Sequence, residues 1–304
     1  MLQIPMYKPN ISLLFSTLLV ILWFVPFVSV ADQSSGLKKD STHRQSNSSL
    51  NIPKRLSRKF IREKLSFGSG IYFSQGKYSE DKDTEITSIP LRLKYSRDDL
   101  SLSAQLPYIY ITGPASVITA GDGLESDFTV SQIERRRWGF GDLRLGAQYE
   151  FSGLNLAASR LYAGFNIKVP TASEDDNLSS GEFDYSLYSG GFWRSGRWIY
   201  HGRLGYQIMG QSDDTDYNNR WYTSLSTSYV LSKFHSVGVS YYTKQASSDQ
   251  SEVIQNVSGS FSWRLPKGWR LNMSVGTGFS ESSADFSGGI QITKSFVRKR
   301  RVSP

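Results

Sequence analysis

The chain has 304 residues, a formal net charge of +8, 13% aromatic and 38% hydrophobic side chains, and no cysteine. This length suits one large all-β domain, and the lack of cysteine excludes a small disulfide-stapled fold and any thiolate metal site. The hydrophobic fraction is low for a sandwich core of this size, which would need longer runs of Val, Ile and Leu.

Residues 1–31 read as a secretory signal peptide. Lys8 supplies a weak positive start, an apolar run covers 11–30, and Ser29-Val30-Ala31 fits a small-x-small cleavage site. The run is also long enough to span a bilayer, so an uncleaved anchor is the alternative. Residues 32–64 carry nine Lys/Arg against three Asp/Glu and show no periodicity, which predicts a disordered basic periplasmic leader. Residues 297–304 add four more basic side chains, as a basic tail. The remaining 65–296 is therefore slightly acidic, and the basic character belongs to the two ends. A basic arm can bind nucleic acid or anionic surfaces, but behind a secretory signal nucleic acid is not an expected partner.

From Leu65 onward the chain resolves into segments of about ten residues, the length of a tilted transmembrane strand. Twelve are predicted, near 65–75, 86–96, 99–110, 140–151, 160–170, 183–193, 197–209, 220–231, 235–245, 252–263, 269–279 and 285–296. Their connections alternate in length. Short ones include 97–98, 194–196, 232–234 and 264–268; the other set holds 76–85, 111–139, 171–182 and 210–219 and is acidic. Short turns on one side, longer loops on the other and an even strand count are the marks of a bacterial outer-membrane barrel.

Within the strands, apolar and small or polar residues alternate. The stretch 221–244 shows this plainly: Trp221, Leu225, Val237 and Val239 fall on one face, Ser224, Ser226, Ser240 and Lys244 on the other. Strand side chains point alternately to two sides, so one face is greasy and one wet. A soluble sandwich or lipocalin-like barrel would turn the greasy face inward. Strand length and loop asymmetry favour turning it outward, with Leu91, Leu93, Trp221, Leu225, Val237 and Val239 toward lipid. An open sheet edge is too costly in hydrocarbon, so the sheet must close.

Several short motifs carry a resemblance: Leu106-Pro-Tyr ending a strand, Gly139-Phe-Gly-Asp-Leu-Arg-Leu-Gly starting another, Asn166-Ile-Lys-Val-Pro-Thr, Tyr206 to Gly210, and Gly276 to Gly289. Over most of 65–296 the chain resembles outer-membrane proteins of the "Putative MetA-pathway of phenol degradation" type. The resemblance implies a barrel linked to passage of small compounds, aromatic ones included. Outer-membrane barrels also resemble one another in ending on an aromatic residue that the assembly machinery reads. Here Phe296 is followed by eight basic-rich residues, and Lys294 stands where a second aromatic is common.

The expected wet face carries Arg92, Lys94, Arg144, Lys168, His201, Arg203 and Lys244, with Asp142, Glu150, Asp184 and Glu252. Charges lining a narrow barrel either tune solute selectivity or pack into ion pairs, and ion pairing is the reading for any one of them. Tyr72, Tyr162, Tyr188 and Tyr222 share this face and could stack on an aromatic solute or simply fill space. Twelve-stranded outer-membrane phospholipases, which resemble Ser–His hydrolases, raise an enzyme reading. A base must sit beside its nucleophile. Of the three histidines, His43 is in the leader, His201 points inward with Arg203 two residues on, and His235 lies at a short turn. No enzyme activity, cofactor or metal is expected. The expectation is an all-β transmembrane antiparallel barrel of about 12 strands in the bacterial outer membrane, both termini periplasmic. It would act as a passive channel for small solutes, aromatic or anionic ones among them. A closed-lumen structural or interaction barrel is the second reading, and an outer-membrane lipid hydrolase the third. Expected partners are outer-membrane lipid and lipopolysaccharide, the barrel-assembly machinery and the solute.

Overall fold

The computed structural model describes residues 60–301 apart from 115–116, 121–122, 127–133, 153–158, 174–175, 212–216 and 247–250. The expected signal peptide 1–31, residues 32–59 of the expected leader and residues 302–304 lie outside the described residues. Among the described residues no helix is long and apolar enough to cross a membrane. Strands dominate instead: β1 (Phe60–Gly76), β2 (Thr84–Arg97), β3 (Leu100–Pro114), β4 (Val117–Ala120), β5 (Gly123–Ser126), β6 (Glu134–Phe140), β7 (Leu143–Glu150) and β8 (Ser159–Val169). There follow β9 (Asp184–Ser195), β10 (Trp198–Ile208), β11 (Arg220–Val230), β12 (His235–Lys244), β13 (Ile254–Arg264), β14 (Trp269–Gly278) and β15 (Phe286–Arg301).

Each wall strand pairs antiparallel with its neighbours in sequence, and β1 pairs with β15 to close the ring. β3 pairs with β7 along Leu100–Gln105 and with β6 along Tyr108–Pro114. β6 and β7 are thus one wall strand interrupted at Gly141-Asp142. Counted so, the wall has twelve strands, and β4–β5 forms a separate hairpin within the longest loop. The strands expected near 140–151 and 252–263 are adjusted accordingly: the first begins at Glu134 and is broken, and the second begins at Ile254. The barrel limits expected at 65 and 296 fall inside β1 and β15, whose ladder runs out to Phe60 opposite Arg301. Glu63 in β1 stands opposite Arg298 of β15 and Arg97 of β2 in the register.

The turns follow local chemistry. Asp98 takes φ +50° in the tight connection of β2 to β3, and Gly196 takes φ +57° between β9 and β10. Asp and Gly are among the residues that adopt this left-handed region most readily.

Leu91, Leu93, Trp221, Leu225, Val237 and Val239 all sit on the outer face, exposed; Val239 is 59% exposed. Aromatics gather at both rims of that face, Trp198 against Tyr229 at one end and Tyr206 against Trp221 at the other. Such girdles mark the two membrane interfaces. Lys294 joins the first rim. Its ammonium lies 5.0 Å from the Trp269 ring centroid and 5.3 Å from that of Phe296, and donates to the Lys267 carbonyl at 2.6 Å. The lysine stem covers apolar wall while its charge reaches the turn backbone, which reconciles a cation with this position.

One sequence expectation fails inside. The inner face is not polar throughout, because at the long-loop end Ile86, Ile109 and Ile111 form a buried cluster with Tyr78 and Leu178. Tyr78 and Leu178 come from the loops 77–83 and 170–183, and packing on them keeps these isoleucines out of water. Burial, chiefly, and the nearby Asp285 charge push the Tyr78 phenol up to about 12 against the pull of its hydrogen bond to Ser74 Oγ at 2.8 Å.

Two outcomes are expected. Val239→Arg, placed in mid-wall on the outer face, should destabilise the barrel by about 2–4 kcal/mol in urea titrations from lipid vesicles. Tyr78 binds its proton more tightly folded than unfolded. The stability this gives is complete below pH ~10 and fades as pH rises toward ~12, by roughly 2–3 kcal/mol. Tyr78→Phe should flatten that alkaline fall in the urea midpoint.

Candidate functional site

The barrel interior is the candidate site. Alternation brings one residue in two from every wall strand to it. Small residues set its width. Four lumen tyrosines each lie on a glycine of an adjacent strand: Tyr72 on Gly289, Tyr162 on Gly190, Tyr188 on Gly164 and Tyr222 on Gly205. A methyl group at Gly164 would come within 2.6 Å of the Tyr188 ring, so the rings lie against the wall only because the glycines carry no side chain.

At the long-loop end the interior is dry and charged. Lys168 Nζ sits 3.2 Å from Asp142 Oδ2 and 3.0 Å from Asp184 Oδ2, with all three side chains buried, and donates to Ser180 Oγ at 2.9 Å. Asp142 also accepts from the Thr171 and Ala172 N–H groups at 3.1 Å and from Ser179 Oγ at 2.7 Å. Asp184 accepts from Gly210 N–H at 2.9 Å. A buried carboxylate needs this many donors, and the knot ties two loops to the break between β6 and β7. Nearby, buried Arg137 donates to the Pro114 carbonyl at 2.8 Å and the Asn177 carbonyl at 3.1 Å. Buried Arg220 donates to Gln207 Oε1 at 3.2 Å. Lys244 is buried at the same level.

Lower in the barrel Tyr162, Tyr188, His201 and Arg203 form one cluster. The Tyr162 hydroxyl is 2.6 Å from His201 Nε2, and Arg203 Nε donates to it at 3.2 Å. The Arg203 guanidinium lies 4.5 Å from the Tyr188 ring centroid, and Phe192 stacks on His201 at 4.5 Å. Tyr72 stands apart with Arg92, whose NH1 donates to its hydroxyl at 3.1 Å and whose Nε donates to Gln105 Oε1 at 2.8 Å. Tyr222 hydrogen-bonds Ser186 Oγ at 2.8 Å.

The ion-pair expectation therefore holds for Lys168 but not generally. Among the described residues no ion pair involves Arg92, Lys94, Arg144 or Arg203. Arg144 keeps a buried Nε with no acceptor. Arg92, Lys94 and Arg144 instead line open cavity space, and Arg92 is held by the neutral partners Gln105 and Tyr72. Glu150 pairs with Arg160 at 2.6 Å near the turn end, and Glu252 sits in the loop before β13 rather than on the inner wall. Sequence parity alone missed Arg137, Phe192 and Arg220, although Phe192 and Arg220 are in step with Tyr188 and Tyr222. Arg264 and Arg270 were also missed; they face each other across the turn joining β13 to β14.

The interior holds several cavities, two of which share lining residues. One of about 420 Å³ is lined by Arg92, Lys94, Gln105, Arg144, Asn166 and Lys168 among others. A second, of about 620 Å³, opens toward the turns and shares Arg92 and Lys94 with it while adding Lys64, Arg264 and Arg270. A third of about 480 Å³ lies by Arg203, Tyr222, Tyr242 and Lys244. Among the described residues no group of three or more His, Cys, Asp or Glu is placed to hold a metal. At the short turn before β12, Ser232 Oγ lies 3.1 Å from His235 Nδ1 and accepts the Phe234 and His235 N–H groups, as a turn cap.

A family model described as "Putative MetA-pathway of phenol degradation" matches residues 68–296. The chain belongs to that family. Among curated proteins none matches it in sequence. Among solved structures it is similar to the COG4313 outer membrane channel from Pseudomonas putida F1, with a TM-score of 0.54 and 17% identity over 82% of this chain and 100% of that one. At that identity the likeness establishes the fold of this family member, a closed twelve-stranded barrel. Weaker likenesses are to the KdgM porin, with a TM-score of 0.47 and 12% identity over 76% of this chain and 99% of that one. The outer membrane phospholipase A from Escherichia coli gives a TM-score of 0.40 and 14% identity over 75% of this chain and 90% of that one.

Lys168→Met should leave two buried carboxylates facing each other without a cation. A loss of about 3–5 kcal/mol is expected in urea titrations, partly restored by adding Asp184→Asn.

Proposed function

We propose that the barrel is a passive outer-membrane channel for small solutes. The observation that carries this reading is the pair of polar cavities that meet at Arg92 and Lys94 and reach from the Lys168 knot toward the turns. A barrel built only for structure would gain nothing from keeping unpaired arginines hydrated along a continuous space. The Pseudomonas putida F1 protein of the same fold, itself an outer membrane channel, supports the assignment. Aromatic solutes are accommodated by the accessible rings of Phe192 and Tyr242, whereas Tyr162 and Tyr222 are buried. The short-turn end is the periplasmic one, which puts Phe60 and Arg301 there, side by side on β1 and β15. Outer-membrane lipid and lipopolysaccharide then meet the apolar wall and long-loop rim, and the barrel-assembly machinery is the partner in insertion.

The second reading, a lumen closed by its own side chains, draws on the packed isoleucine cluster at the long-loop end. Planar-bilayer recording of the purified full-length protein separates the two. Discrete single-channel steps are expected. A folded, heat-modifiable barrel that passes no current at any voltage would sink the channel reading.

A further inference from the structure

Cross-strand register arranges the lumen charges in a way that neither composition nor any single strand reveals. Arg264 of β13 stands directly opposite Arg270 of β14, and Arg270 opposite Thr293 of β15. Thr293 faces Gly68 of β1, and Gly68 faces Arg92 of β2. The row goes on from Arg92 to Gln105 of β3, then Arg144 of β7, Lys168 of β8 and Asp184 of β9. Nine adjacent strands thus contribute one unbroken inward row, with five basic residues and a single acidic one at its end.

A row of this kind runs perpendicular to the strands. Strands in a barrel tilt by about 40°, so the row climbs as it goes round. Eight steps at ~4.8 Å each, at that tilt, rise about 25 Å, which matches the ~25 Å apolar band of an outer-membrane barrel. Its two ends agree with this. Arg264 and Arg270 flank the 265–268 turn, and Lys168 and Asp184 flank the loop 170–183 at the other mouth. The two cavities that share Arg92 follow the same course, the lower holding Arg264, Arg270 and Thr293 and the upper holding Gln105, Arg144 and Lys168.

The state of the row's charges points to a mobile counter-ion. Lys168 is neutralised by Asp142 and Asp184. No ion pair among the described residues involves Arg92, Arg144, Arg264 or Arg270, and Arg144 Nε is buried without an acceptor. Arg264 and Arg270, like charges placed directly opposite, repel unless an anion lies between them. Guanidinium groups hold planar oxyanions in a two-pronged way that a lone ammonium cannot. At Arg92 the Tyr72 ring lies 5.3 Å from the guanidinium, which places an apolar surface beside the charge.

We propose that Arg264, Arg270, Arg92 and Arg144 form a winding ladder that binds and passes small organic carboxylates, aromatic ones included, between the Lys168 knot and the turn mouth. This rests on the channel reading and adds to it the charge class of the solute and the path it takes. Arg264 and Arg270 face each other directly, Thr293 and Gly68 separate Arg270 from Arg92, and Gln105 separates Arg92 from Arg144. Lys168, tied in its knot, marks the end of the ladder rather than a rung.

The test is reversal potential in a potassium chloride gradient, paired with benzoate binding to the detergent-folded barrel by saturation-transfer NMR. Benzyl alcohol and benzylamine serve as neutral and cationic comparators. The wild-type barrel should prefer chloride over potassium and bind benzoate over both comparators. A unit charge ~7 Å from the ion path changes local anion concentration by about threefold in water. Arg92→Gln with Arg144→Gln should therefore cut the chloride-to-potassium ratio by at least about tenfold even after salt screening, and abolish benzoate binding. Arg97→Gln with Lys233→Gln removes the same charge at the turn rim and should change the ratio far less. Arg92→Lys with Arg144→Lys should keep chloride preference while weakening benzoate. A conducting barrel that prefers potassium, or one in which the rim pair matters as much as the ladder pair, would overturn the ladder and leave the channel standing. A silent barrel that still binds benzoate through Arg92 and Arg144 would overturn the channel and leave the ladder as a binding track. Equal binding of all three aromatic compounds would refute the carboxylate assignment.

Discussion

Ring closure is the constraint on which everything else depends. In hydrocarbon a backbone N–H or C=O has no water to bond, so a sheet that crosses the membrane must leave no edge. The β1–β15 ladder supplies the last seam and runs the full length of both strands. Closing twelve strands fixes their tilt and stagger, and with them which residues stand opposite one another. Period-two alternation then leaves the chain no choice about which side each side chain takes. The inner and outer surfaces of this protein are consequences of one hydrogen-bonded ring.

The interior meets its polar burden in two ways. At the long-loop end, charge is removed from water and must be matched donor for acceptor. Asp142 does so with one ammonium, a hydroxyl and two backbone N–H groups, and in the process pins loop residues to the gap between β6 and β7. Toward the turns the charges line open cavities, and an arginine without a carboxylate partner is tolerable where it can keep contact with solvent. The same residue type is a structural tie in Arg137 and a solvent-facing group in Arg92. Burial, not identity, decides which.

Much of the fold was legible because strand alternation is local. Twelve segments, their two faces and the unequal connections could be read from residues within ten positions of one another, and Trp221, Leu225, Val237 and Val239 stand outward as that pattern requires. What could not be read is what depends on the partner strand. Arg264 and Arg270 look like turn charges until register sets them in line with Arg92. Ile109 and Ile111 sit at inward positions where alternation alone predicts polarity; only loop residues far along the chain, Tyr78 and Leu178, make them a core. Phe60 and Arg301 were assigned to a leader and a tail because basic composition hides a ladder that exists only between them.

The pairing of each lumen tyrosine with a wall glycine has a consequence for how such a barrel can diversify. Ring and glycine together occupy the thickness of one ordinary side chain. Replacing the glycine pushes the ring toward the axis and narrows the bore at that level, while the arginines above and below keep their places. Calibre and charge are therefore carried by separate residues on the same strands. A lineage could change how large a solute fits through one substitution at Gly205, where the nearest atoms an added side chain meets are those of the Tyr222 ring, and which sign of charge is welcomed through another at Arg92.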